Sequence, residues 1–176
     1  LQTLLNQDML SYNEEEQTYK LGLKLVRMAH SAWLQSSLAP VAVPFIDDLS
    51  AKVGETVHLA ELDNGQVLYV DKRNPASPIE MYSQAGKVGP AYCTGVGKAM
   101  MAFLDESELN KVISKQAFHK YTENTITSAK ELKKELATIK KEGISFDRQE
   151  HEEKIICISS PILKSSSKVI GGLSIT

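Results

Sequence analysis

The sequence predicts an α+β domain built on an antiparallel sheet. Three observations carry this. Strand candidates come in pairs joined by short turns, as at residues 56–62 and 66–70 around Asp63-Asn64-Gly65; short connections pair strands antiparallel. Helical patterns lie between them with their own start and stop residues. The chain has 176 residues, 42% hydrophobic and 24% charged, enough for one good core.

The elements follow in order. Leu1, Leu4 and Leu5 are spaced for a short helix over residues 1–9. Residues 11–20 read as two short tyrosine-containing strands around the polar tip Glu14-Glu15-Glu16. Leu21, Leu25, Met28, Ala29, Ala32 and Trp33 form one apolar stripe of a helix over residues 21–37. Ser36-Ser37 and Pro40 mark a break and a new helix over 39–53, ended by Gly54. After the 56–70 hairpin, Asn74-Pro75-Ala76-Ser77-Pro78 is a loop, and residues 79–84 read as a short strand. Asp105 with Glu108, and Ser128 with Glu131, are capping boxes. They start helices over 106–114 and from 129 to Gly143, the second burying Leu132, Leu136 and Ile139. Three strand candidates close the chain at 144–147, 155–161 and 169–176.

Bulk properties exclude several classes. The formal net charge of −2 provides no overall basic field, so any nucleic-acid surface is local or lies on another segment. Cys93 and Cys157 are far apart without C-x-x-C spacing; this argues against a disulfide framework and for a reducing compartment such as the cytoplasm. No apolar run reaches membrane-spanning length, and no signal-peptide pattern is present. The first residues read as a helix already under way and the last as a strand in need of cover. The expectation is a piece of a longer protein.

The stretch with the most chemistry is Thr94-Gly95-Val96-Gly97-Lys98, opening into an apolar helical run. It resembles a phosphate loop but departs from one. Tyr92 stands where the first Walker glycine belongs, and Ala99 where Ser or Thr would hold Mg²⁺. Backbone amides at a helix start suit a small carboxylate instead.

From Thr18-Tyr19-Lys20-Leu21-Gly22 onward the chain resembles the IclR-type bacterial transcription regulators. The likeness continues through Gly54-Glu55-Thr56-Val57-His58-Leu59 and the Thr94–Ala99 stretch. It runs on through Gly143-Ile144-Ser145-Phe146-Asp147, Glu150 and Cys157 to Gly172-Leu173-Ser174-Ile175, in order. The resemblance implies the end of a winged helix-turn-helix DNA-binding domain at residues 1–20, its wing at 12–19, and a linker helix at 21–37. It implies a GAF-like effector-binding domain at 38–176, in a homodimer or homotetramer with operator DNA as partner. The function implied is DNA-binding regulation, as a repressor, without cofactor or metal.

The resemblance also implies a site for a small carboxylic, keto or sugar acid. Gly95 and Val96 take the amide-donor positions; Asp147, Cys157, Ser174 and Thr176 the polar positions; Met81, Gly89 and Ile155 the apolar wall. Gly89 stands where relatives often carry a larger residue, and Val96 is bulkier than a common alanine. Ser174 and Thr176 lie two apart in a strand, so their hydroxyls share a face. Blander readings stay open: the glycines permit a tight turn, Asp147 caps a turn, Cys157 is a small core residue, and the Lys98 stem covers apolar surface with its ammonium in water.

Two other classes compete. A stand-alone sensor domain would lack the wing-and-linker pattern of residues 12–37. A cysteine enzyme would need Cys157 with His151, or Cys93 with His58, as nucleophile and base, and no local triad pattern supports one. A metal site from Asp147, Glu150, His151 and Cys157 has no ligand spacing.

The acidic Glu14-Glu15-Glu16 tip repels phosphates, so this chain alone is expected to bind duplex DNA poorly. Fluorescence anisotropy at low salt tests this; sequence-specific, salt-sensitive binding by residues 1–176 would refute it.

Overall fold

A computed structural model describes residues 1–35 and 38–176. Residues 36 and 37, where the sequence marks the helix break, lie outside the described residues. The chain divides into two compact units, 1–41 and 42–176.

In the first unit, α1 (Gln2–Asn6) leads to a hairpin of β1 (Leu10–Asn13) and β2 (Thr18–Leu21). Tyr12 pairs with Tyr19 in register, and their rings lie 4.9 Å apart. The Asn13 side-chain oxygen accepts the Glu15 and Glu16 amides and closes the tip. The next helix, α2 (Leu23–Gln35), buries none of its residues in the chain. Leu23, Val26, Met28 and Leu34 are exposed, while Leu25 and Trp33 of the predicted stripe are half-buried.

Helix α3 (Ala39–Val53) crosses the division and stops at Gly54, whose φ of 68° favours glycine. Strands β3 (Val57–Asp63) and β4 (Gln66–Arg73) follow, joined by Asn64 and Gly65 with φ of 51° and 87°. Two successive left-handed residues are what a tight hairpin turn requires. Arg73 on β4 bridges Asp47 of α3 and Asp71.

Residues 79–84, expected as a strand, form none; β5 is instead the three-residue Val88–Pro90. The edge position goes to Val88–Pro90 because these residues pair with Gln66–Leu68 in register. The 79–84 segment is held by side-chain contacts described below.

Three helices come next: α4 (Gly95–Met101), α5 (Glu106–Ser114) and α6 (Ala129–Glu142). Asp105 accepts the Glu108 amide at 2.8 Å and Ser128 accepts the Glu131 amide at 3.2 Å. The second box is not the reciprocal form, because Glu131 accepts the Ser128 hydroxyl rather than its amide. Gly143 ends α6 at φ 78°.

Strands β6 (Ser145–Arg148), β7 (Ile156–Leu163) and β8 (Val169–Ile175) complete one six-stranded sheet in the order β5-β4-β3-β8-β7-β6. All its neighbours are antiparallel. Helix α4 lies across its centre. The core joins Val96, Met100 and Met101 of α4 to Val67, Tyr69, Tyr92 and the Leu132–Leu136–Ile139 face of α6.

The sheet admits α4 closely because of what faces it. Ser145, Ser159 and Ser174 stand side by side across β6, β7 and β8, and His58 of β3 continues the row. A Cβ on Gly95 would lie 2.6 Å from the Ser159 Oγ, and one on Gly172 would lie 2.7 Å from a Val96 methyl. The bulk of Val96 is thus accommodated by a glycine on β8. Among the described residues, no helix is long and apolar enough to cross a membrane.

Candidate functional site

Every residue expected at the effector site, except Gly89, lines one small cavity at the start of α4. Gly95 and Val96 come from the first turn of α4, Asp147 from β6, Cys157 from β7, and Ser174 and Thr176 from the end of β8. Met81 and Ile155 add the apolar wall. Gly89 lines a neighbouring groove instead, because the Tyr69 ring stands 3.4 Å from its Cβ position.

No side chain caps α4. The Thr94 hydroxyl at the N-cap donates back to the Pro90 carbonyl at 2.7 Å, leaving the first-turn amides without a side-chain acceptor. Both glycines also answer a steric demand. A Cβ on Gly97 would collide with the Ala91 backbone, as one on Gly95 would with Ser159. The steric reading of these glycines holds at both positions.

The polar wall is continuous. His58 Nε2 lies 2.7 Å from the Ser83 Oγ, and its Nδ1 lies 3.4 Å from the Thr176 Oγ1. The Thr176 hydroxyl donates to the Cys157 Sγ at 3.2 Å. Burial keeps His58 neutral, pushing its pKa down to about 4 with Lys72 adding to the effect. Asp147 is 3% exposed and accepts the Glu150 amide at 2.7 Å. Burial pushes its carboxyl up to about 7, against the Glu150 amide hydrogen bond, which holds it down. Asp147 thus caps a turn and faces the cavity at once.

Lys98 departs from expectation. Its side chain is fully buried, and its Nζ lies 2.6 Å from Glu150 Oε1 and 3.3 Å from Glu135 Oε1. The ammonium is not in water, because the turn after β6 carries Glu150 over α4. Glu150 meets two opposed effects: burial raises its pKa and the Lys98 charge holds it down. Its second oxygen, Oε2, has no partner.

Tyr69, Thr94, Ser83, His58, His151 and Glu152 also line the cavity and were not among the expected residues. His58 is opposite Ser174 across β3 and β8, a pairing with no local signature. Ser83 and Glu152 lie on loops and reach the cavity through tertiary contacts alone.

Burial disfavours the thiolate form at both cysteines. Burial pushes Cys157 up to about 11 and raises Cys93 well above an ordinary thiol. His58 contacts Ser83 and Thr176 rather than Cys93. Among the described residues no cluster of three His, Cys, Asp or Glu is placed to hold a metal ion.

A small polar cavity thus lies between the start of α4 and an antiparallel sheet. The chain belongs to the IclR family: residues 30–176 match the family described as "Bacterial transcriptional regulator IclR C-terminal". The transcriptional regulator KdgR of Dickeya chrysanthemi is 32% identical over 176 residues, spanning 100% of this chain and 58% of that protein. KdgR of Escherichia coli is also 32% identical over the whole chain, which spans 67% of its length. The crystal structure of Thermotoga maritima IclR superposes with a TM-score of 0.83 at 30% identity, covering 98% of this chain and 70% of that one. A Microbacterium hydrocarbonoxydans IclR homologue, complexed with 4-hydroxybenzoate, shares the fold at 21% identity and TM-score 0.82, over 98% of this chain and 71% of its own.

Two expectations follow. Lys98→Met leaves Glu150 buried without its cation and is expected to cost about 3–5 kcal/mol in urea unfolding, much of it recovered in Lys98→Met/Glu150→Leu. The pH dependence has opposed parts. Asp147 keeps its proton in the folded state up to about 7, against 3.8 ordinarily. The folded state therefore holds more protons in that window, and stability falls as pH rises. His58 stays neutral in the folded state down to about 4, against 6.5 ordinarily, so there stability rises with pH. Relative to the unsubstituted protein, Asp147→Asn should tilt the urea midpoint upward with pH between about 4 and 6.5, and His58→Gln downward. A downward tilt in Asp147→Asn would contradict the Asp147 assignment, and an upward tilt in His58→Gln that of His58.

Proposed function

We propose that the chain is the linker and effector-binding part of a DNA-binding transcription regulator, acting as a repressor. In this reading residues 1–20 end the winged helix-turn-helix domain, 21–37 are the linker helix and 38–176 bind the effector. The regulator works without cofactor or metal and as a homodimer or homotetramer, and the uncovered apolar residues of α2 supply the subunit surface. The effector is a small carboxylic, keto or sugar acid, held by Gly95, Val96, Asp147, Cys157, Ser174 and Thr176. Operator DNA is bound by the full-length protein.

The observation that carries the reading is the convergence of polar groups from α4, β3, β6, β7 and β8 on one cavity. The 4-hydroxybenzoate carried by a homologue of the same fold is itself a small acid. The charge balance agrees with a weakly held anion. His58 is neutral near pH 7, and the Lys98 charge is matched by Glu150. An anion is therefore met by amides, hydroxyls and a protonated Asp147 that donates to it. Effector binding acts by favouring one arrangement of subunits over another, which changes how two recognition helices address DNA half-sites.

A thermal-shift screen with small keto, aromatic and sugar acids tests the proposal. At a hundredfold excess over Kd a true effector adds about 2.7 kcal/mol of stability. Ser174→Ala should weaken that gain, and affinity should fall as pH rises through about 7, where Asp147 loses its proton. Absence of stabilisation by every acid, or an unchanged gain in Ser174→Ala, removes the assignment.

A further inference from the structure

The inner cavity is too small for the ligand class just proposed. Its volume is about 20 Å³, room for about one water. Beside it lies a groove of about 500 Å³. The two share His151 and Glu152 in their walls. Tyr82, which lines the groove, stands between Met81 and Ser83, which line the cavity.

The dividing wall is built of loops, not of sheet. Residues 81–83 carry no strand, and Glu152 sits in the turn between β6 and β7. The two loops meet where the Tyr82 amide donates to both Glu152 carboxylate oxygens, at 3.1 Å each. The His151 ring lies edge-on to Tyr82 and to Tyr121, with centroids 5.6 and 4.7 Å away. On the cavity side Ser83 is held by His58 at 2.7 Å, and Lys72 donates to the Ser83 carbonyl at 2.8 Å.

The geometry points to a gated, two-chamber site. The Tyr82–Glu152 contact is the gate, and the outer groove is the second chamber, taking the uncharged body of an acid too long for the inner cavity. The chamber's chemistry names that body. Tyr82, Tyr92, Tyr121 and His151 offer ring faces and edges to a planar ring or to the C–H face of a hydroxylated chain. Gly89 contributes backbone to the groove's wall, and its Cβ position faces the Tyr69 ring on the cavity side. The acid head passes the gate into the inner cavity. The second chamber rests on the effector reading above; the gate does not.

Cys157 reports on the gate without any effector, since its thiol lines the inner cavity while Cys93 is fully buried in the core outside it. The rate of modification by 4,4′-dithiodipyridine is read at each cysteine by peptide mass spectrometry on the whole 176-residue chain. Glu152→Ala should speed labelling of Cys157 by about tenfold or more, leaving Cys93 unlabelled. Glu152→Gln, which keeps one acceptor for the Tyr82 amide, should give a smaller rise. An unchanged Cys157 rate, or equal acceleration at both thiols through general unfolding, overturns the gate. For the second chamber, Tyr121→Ala, at a ring that lines the groove and not the inner cavity, should reduce the thermal stabilisation by 4-hydroxybenzoate while sparing that by pyruvate. Equal loss or no loss for the two acids overturns it. If Cys157 opens as expected and neither acid stabilises the protein, the gate stands and the effector reading falls with its second chamber.

Discussion

The buried ion pair of Lys98 with Glu150 is the constraint on which the site depends. Lys98 leaves α4 from beneath its first turn and meets a carboxylate carried by the turn after β6. A charge placed there is costly unless matched, so the pair ties helix to turn more firmly than apolar contact would. The same turn places the Glu150 amide on Asp147. The position of the cavity's acid is therefore set by a charge pair that does not itself line the cavity.

Around that tie the packing is a problem of close approach. The start of α4 must come near β6, β7 and β8 for its amides and the strand side chains to face one space. A row of serines and the glycines at 95 and 172 make that approach possible. The cost is visible in Ser145 Oγ and Ser159 Oγ, buried without a partner. The result is a cavity whose groups are displaced from their ordinary ionisation, with Asp147 raised and His58 lowered by the same dry surroundings. Such opposed shifts suit a site that meets an anion without a free cation of its own.

The walls of the cavity differ in how they are held. The sheet and α4 are joined by ladder bonds and core packing. The 149–155 turn is anchored through Glu150, whereas the 81–83 segment is held by the Tyr82 amide on Glu152, the Tyr82 hydroxyl on the Val88 carbonyl, Ser83 on His58 and Lys72 on the Ser83 carbonyl. In the gated site proposed above, the sheet and α4 form the fixed floor and the 81–83 segment the wall that lifts.

Much of the fold was legible in the sequence because its signals are local. Asp105 and Ser128 place the starts of α5 and α6, Gly54 and Gly143 place helix ends, and Asn64-Gly65 places the first long hairpin. The carboxylate-site set came from the ordered family motifs, and all of it but Gly89 lines one cavity. What the sequence did not determine depends on pairings between distant segments. The register of β3 on β8 brings His58 beside Ser174. The edge of the sheet goes to Val88–Pro90 and not to residues 79–84, because only the former aligns on β4. Lys98 is read locally as an exposed lysine on a helix; only the tertiary fold lays Glu150 over it and excludes water. Local sequence thus set the elements, while the dielectric and the partners of each polar group, and with them the chemistry of the site, were decided by what the fold packs on top.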